Sequence, residues 1–231
     1  NMRGYLPLII SWMYFNTTKG FIGSSALHRA PTVIRFSPKP SDDETVIDPT
    51  PFSFVNAVNG LTKPIQQLLD DNTGGWALSY ADLSPDSSKT TAGQLFLATN
   101  LAYLAVGASL QLQGEPLLGS LCDICAAASF AYHYTQLDLT AAEVRIALLV
   151  DYLFAALAIG TSSLYLGSAL IGGSIPIADL YTTIGVSVSS IVFLGLSWQY
   201  EYGKPYMFWH GLWHLASAAS GYLVGVVQLS N

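Results

Sequence analysis

A chain of 231 residues in which 51% are hydrophobic and only 10% are charged departs from a soluble globular domain, where roughly a quarter of residues carry charge. Mean hydropathy is +0.41. The net charge of −6 is scattered over loops and helix ends, and from Thr90 onward Arg145 and Lys204 are the only basic residues, so a nucleic-acid-binding face is excluded. The chain reads as an integral membrane protein of the all-α class, a polytopic transmembrane helix bundle with about five spans plus a short apolar N-terminal helix.

Residues 1–41 open with Arg3 and an apolar run from Tyr5 to Phe15. Phe21 and a basic stretch with His28, Arg29, Arg35 and Lys39 follow, and no acidic residue appears before Asp42. A run of about 11 residues is shorter than a span requires and has the dimensions of a signal-peptide core, while an acid-free basic stretch is transit-peptide-like. The tandem resembles the two-part targeting leader of nucleus-encoded plastid proteins in algae with secondary plastids. That resemblance implies residence in the plastid thylakoid, with another endomembrane as the alternative. The other reading of residues 1–41 is a retained short anchor helix.

From Ser37 to Ser88 the chain is rich in Pro, Asp, Ser and Thr, with turn signals at Pro49, Pro51 and Gly74-Gly75, so residues 42–91 form an extramembrane or interfacial segment. Within it Pro64 to Asp70 predicts a short helix with proline in its first turn, and Trp76, Tyr80 and Leu83 predict an interfacial strip at headgroup level.

Residues 92–231 hold the bundle. Five stretches are long and apolar enough to span, at about 92–113, 117–137, 142–172, 177–199 and 205–228. The third is overlong; it contains Gly160 and Gly167 but no polar turn, so it reads as one tilted or broken helix. Lys89, Arg145 and Lys204 gather on the side where the first span begins, which makes that near side cytosolic, or stromal in a plastid. Cys122 and Cys125 form a lone C-x-x-C inside an apolar run and read as buried packing residues rather than as a redox pair or half of a metal site.

Polar groups inside such stretches are expensive to keep and mark functional sites by default. His210 and His214 stand four residues apart, on one helix face, so both imidazoles can reach one metal ion. Ser129 and His133 are one turn apart late in the second span, and Asp151 lies in the third. Counted from the near side, His133, Asp151, His210 and His214 sit at depths of roughly 6 to 14 Å, so a single site is geometrically open to them. Three neutral imidazoles leave zinc one open position, and water there reaches a pKa of about 7. Asp151 would orient or deprotonate that water, and Ser129 would fix an imidazole or donate to an oxyanion. Tyr132 and Asp138 are weaker candidates, Asp138 reading as a helix-boundary residue. Each group also has a plainer role, His133 as a hydrogen-bonded bridge between helices and Asp151 as the partner of a histidine or of Arg145.

Ser-x-x-x-His late in one membrane helix, Asp in the next and His-x-x-x-His in the last resembles the CREST superfamily, which comprises alkaline ceramidases, adiponectin and progestin receptor proteins and GPI-lipase-like membrane hydrolases. The matches are Ser129, His133, Asp151, His210 and His214, and the resemblance covers about Ala92 to Gln228. It implies zinc on the three histidines and hydrolysis of a lipid ester or amide, with membrane lipids as partners. The chain departs from the family by about two helices, since only 58 residues separate Asp151 from His210, and it lacks the acidic N-terminal calcium-site motif of ceramidases. The rival expectation is a non-catalytic accessory subunit that contacts other subunits of a larger membrane assembly, plausibly photosynthetic, with chlorophyll or another pigment ligated by His133 or His210.

Overall fold

A computed structural model describes residues 54–81, 83, 89–138, 141–172, 176–200 and 203–230. The leader or anchor expected over residues 1–41 lies outside them. Residues Thr50–Asn231 form one compact unit, and among the described residues every regular element is a helix: α1 (Phe54–Thr73), α2 (Thr91–Ala98), α3 (Leu101–Leu112), α4 (Pro116–Asp138), α5 (Ala141–Gly172), α6 (Ile177–Ser197) and α7 (Gly203–Leu229).

Helix α1 corrects the short helix expected from Pro64. It runs ten residues further toward the N-terminus and carries Pro64 in its interior. Proline there removes the donor to the Gly60 carbonyl, and Gly60 is exposed, so water can replace that donor. The Thr62 hydroxyl caps the Val58 carbonyl at 2.9 Å and accepts from Gln66 Nε2 at 3.1 Å, which supports the turn around the proline. The helix stops at Gly74 and Gly75, both at positive φ, with Gly75 N–H returned to the Asp70 carbonyl at 3.0 Å in a Schellman closure.

Among the described residues four stretches are long and apolar enough to cross a membrane: Thr91–Leu112, Glu143–Gly172, Ala178–Ser197 and Gly203–Leu229. The expected first span is thus present but broken at Thr99 and Asn100, where α2 gives way to α3. The overlong third span is one unbroken α5 of 32 residues. The expected second span forms as the 23-residue α4, yet it does not join the apolar four. Its composition explains this, because α4 packs against α3, α5, α7 and α2 and buries Ser129, His133, Thr135 and Gln136 alongside its apolar residues, which lowers its mean hydropathy.

Tight turns make the antiparallel packing possible. Thr90 caps α2 by accepting from Gly93 N–H at 3.1 Å. Between α3 and α4, Gly114 adopts φ 95°, Glu115 Oε1 accepts from Leu118 N–H at 3.1 Å, and Pro116 opens the next helix. Helices α3 and α4 then cross at Gly107 and Gly119, where a Cβ on Gly107 would meet the Gly119 carbonyl at 2.7 Å. Such close backbone approach is what small residues provide in membrane bundles. Helix α7 lies centrally, packed on α6, α3, α5 and α2, and thus carries His210 and His214 into the middle of the molecule.

The interfacial strip is corrected in one residue. Trp76 is exposed and Tyr80 half-buried, but Leu83 is fully buried with Ala81, Phe96, Leu97, Leu137, Tyr206 and Met207. Leu78, Ala81 and Leu83 therefore pack onto the bundle. Arg145 pairs with Asp70 at 2.5 Å, not with Asp151. Six residues along a helix correspond to about 240° of rotation, which turns Arg145 and Asp151 to different faces.

Candidate metal centre

Two helices deliver one imidazole cluster. His133 comes from α4, and His210 and His214 from consecutive turns of α7; each pair of rings has its centroids 4.9 Å apart, a nearly equilateral triangle. His133 and His214 are fully buried and His210 nearly so. Their ligand nitrogens all lie within 4.8 Å of one another. Three buried histidines thus form a possible metal site, assembled from residues 81 positions apart in the chain.

The hydrogen-bond network assigns the protons. Gln136 Nε2 donates to the Ala81 carbonyl at 3.0 Å, so its Oε1 is the atom facing His133 Nδ1 at 2.6 Å, and Nδ1 must be the donor. Thr99 gives its hydroxyl proton to the Phe96 carbonyl at 2.6 Å, leaving Oγ1 to accept from His214 Nδ1–H at 2.7 Å. Ser197 gives its proton to the Leu194 carbonyl at 2.7 Å and accepts from His210 Nδ1–H at 3.2 Å. Each neutral ring carries one N–H, so all three Nε2 atoms present bare lone pairs. This is how metal-bound histidines are held, with the second ring nitrogen donating to an outer oxygen that sets ring angle and tautomer.

Two of those lone pairs meet. His133 Nε2 stands 3.2 Å from His214 Nε2, with no proton available to either for a hydrogen bond between them. Two ligands on one tetrahedral zinc, with Zn–N of about 2.0 to 2.1 Å, stand about 3.3 Å apart, so the separation is the one a shared ion produces. The residues fit the metal. Ser129 Oγ lies 3.4 Å from the same His214 Nε2, so its hydroxyl lies beside that pair. Aromatic rings enclose the triad: Phe96 is 4.6 Å from His133 and stacks on His214 at 5.7 Å, Tyr206 stacks on His210 at 4.9 Å, and Tyr132 packs on His133 at 4.6 Å.

Asp151 lies outside the triad. It is half-buried on α5, and its carboxyl is in electrostatic range of Tyr132 and Tyr206, the rings that flank His133 and His210. Asp138 is the last residue of α4, as expected for a boundary residue. Cys122 and Cys125 are both buried and unpaired by a disulfide; Cys122 packs with Leu110, Leu118 and Val224, away from the imidazoles.

The outer partners Thr99, Gln136 and Ser197 were not legible as site residues. Gln136 alone had a local signal, an amide three residues beyond His133 on the same helix. Thr99 caps α2 at the break before α3 and Ser197 ends α6, and nothing in their own neighbourhoods marks them off from the other hydroxyls of the bundle. Compared with protein-family models, with curated proteins and with solved structures, the chain matches none.

Proposed function

We propose that this chain is a membrane-embedded, metal-dependent hydrolase that opens an ester or amide bond of a lipid, with His133, His210 and His214 holding one zinc ion. The observation that carries the reading is the set of three Nδ1–H groups pinned by Gln136, Ser197 and Thr99, which leaves the Nε2 lone pairs bare in a buried cluster where those of His133 and His214 stand 3.2 Å apart and all ligand nitrogens lie within 4.8 Å. Zinc on three neutral imidazoles supplies Lewis acidity and one position at which water ionises near neutral pH. Ser129 is placed to donate to an oxyanion developing beside His214, and Asp151, in electrostatic range of Tyr132 and Tyr206 beside the triad, is the carboxyl assigned to moving the proton.

The order Ser129, His133, Asp151, His210 and His214 supports membership of the CREST superfamily on motif and geometry together. A crossing role for α4 completes the reading. At 23 residues it is about 35 Å long, enough for the hydrocarbon core, and its polar residues Ser129, His133, Thr135 and Gln136 are buried within the bundle. With α4 as a fifth span, His133 and the α7 histidines are all reached from the near side, and a lipid substrate enters laterally from the bilayer. Pigment ligation is disfavoured, because three buried imidazoles whose ring centroids form a triangle of 4.9 Å sides leave no room for a macrocycle among them.

Elemental analysis of protein purified in detergent without chelator tests the proposal, alongside release of free fatty acid from ester and amide lipids. The expected result is about one zinc per chain and release that chelation abolishes. Protein free of metal and inert after zinc is restored would return the chain to the rival reading, a non-catalytic subunit of a larger membrane assembly.

A further inference from the structure

Helix α1 presents three distinct faces. Gln66 is buried and Leu69 packs against the cluster of Leu78, Tyr132, Val144 and Leu148, so these residues and half-buried Thr73 face the bundle. Lys63, Gln67 and Asp71 are exposed and polar. Leu61, Ile65 and Leu68 are exposed too, at 79%, 53% and 62%, although all three are large and apolar. At about 100° per residue the apolar, bundle-facing and polar sets centre roughly 0°, 110° and 240° around the axis from Leu61, so they do not overlap.

Two independent anchors give the depth at which this helix lies. Asp70, near its C-terminus, pairs with Arg145, two residues beyond Glu143, where the apolar stretch of α5 begins. Trp76, three residues past its end, meets Trp198 edge to face at 5.8 Å, and Trp198 directly follows Ser197, where the apolar stretch of α6 ends. Both tryptophans are more than half exposed, as in the aromatic belts of membrane proteins. A helix tied at both points lies where hydrocarbon gives way to headgroups.

From this we infer that α1 is an in-plane interfacial helix whose Leu61, Ile65 and Leu68 stripe inserts among the acyl chains of the near leaflet, while Lys63, Gln67 and Asp71 face water. The occupant of the stripe is the lipid surface rather than a protein, because the anchors set the stripe at the membrane boundary and an apolar face opposite a charged one is the arrangement a bilayer interface selects. The helix also holds down the segment that follows it, whose Ala81 carbonyl orients Gln136 and through it His133. The inference itself does not depend on the imidazoles holding an ion.

The test uses the full chain in phosphatidylcholine vesicles with single nitroxide labels on Ile65→Cys, Leu68→Cys, Lys63→Cys and Gln67→Cys. The chain without an added cysteine serves as the blank for the buried Cys122 and Cys125. Collision rates with oxygen, which concentrates in lipid, and with a water-soluble nickel chelate are read by power saturation. The expected oxygen-to-nickel ratio is several-fold higher at 65 and 68 than at 63 and 67. A common ratio at all four positions, or nickel access at 65 and 68 equal to that at 63, overturns the inference. Labels at 65 and 68 shielded from both reagents also overturn it, by showing protein on the stripe.

Discussion

Replacing Thr99 by valine tests the proton assignment with little change of shape. The hydroxyl accepts from His214 Nδ1–H at 2.7 Å and donates to the Phe96 carbonyl, which also receives the Thr99 N–H at 3.2 Å. Valine therefore leaves that carbonyl a partner and orphans His214 Nδ1–H in a buried site. An orphaned buried donor costs about 1–3 kcal/mol, and the ring can relieve it by moving its proton to Nε2, where Ser129 Oγ waits at 3.4 Å. That tautomer cannot bind metal through Nε2. Loss of an outer-shell partner typically lowers metal affinity about 10- to 100-fold, equivalent to about 1.4–2.7 kcal/mol. The assay is competition for zinc against a chromophoric chelator in detergent, with Thr99→Ser as the control that keeps the acceptor and should bind like the native chain. If Thr99→Val holds zinc as tightly as Thr99→Ser, the Nδ1 assignment is wrong and the case for three bare Nε2 lone pairs falls with it.

Alanine at His210 or at His214 is expected to abolish bound zinc while helical circular dichroism stays near native, because burial of the apolar helices does not depend on the ion; retained stoichiometric zinc would show another ligand set. Gly107→Ala sets a methyl against the Gly119 carbonyl and the Asp123 carboxyl, so it should destabilise the bundle by about 1–3 kcal/mol and lower the midpoint of thermal unfolding in detergent. Asp70→Asn removes an ion pair whose side chains are about one-third exposed, so the loss should stay below about 1 kcal/mol and the unfolding midpoint should move little. A fluorescent reporter fused after residues 1–41 should enter the plastid and be trimmed if that segment is a bipartite leader; a reporter left at the endoplasmic reticulum with the segment attached would refute the thylakoid assignment.

Much of the architecture was determined locally. Apolar length alone marked α5, α6 and α7, because a helix surrounded by lipid must be apolar all round and every backbone group must be satisfied within it. The i, i+4 spacing of His210 and His214 placed both on one face before any neighbour was known. Where composition responds to neighbouring helices, apolar length is a weaker guide. Helix α4 forms as a 23-residue helix but falls outside the four apolar ones, and it buries Ser129, His133 and Gln136. Leu83 looked interfacial because its surroundings are polar in sequence, yet it is buried beside Phe96 and Tyr206. Only the tertiary structure decided that Thr99, Ser197 and Gln136 hold the imidazoles, that Asp151 stands outside the triad, and that Arg145 turns to Asp70. A hydroxyl on one helix becomes a ligand's partner only when packing brings a ring nitrogen on another helix within hydrogen-bond reach, and one-dimensional spacing carries no information about that distance.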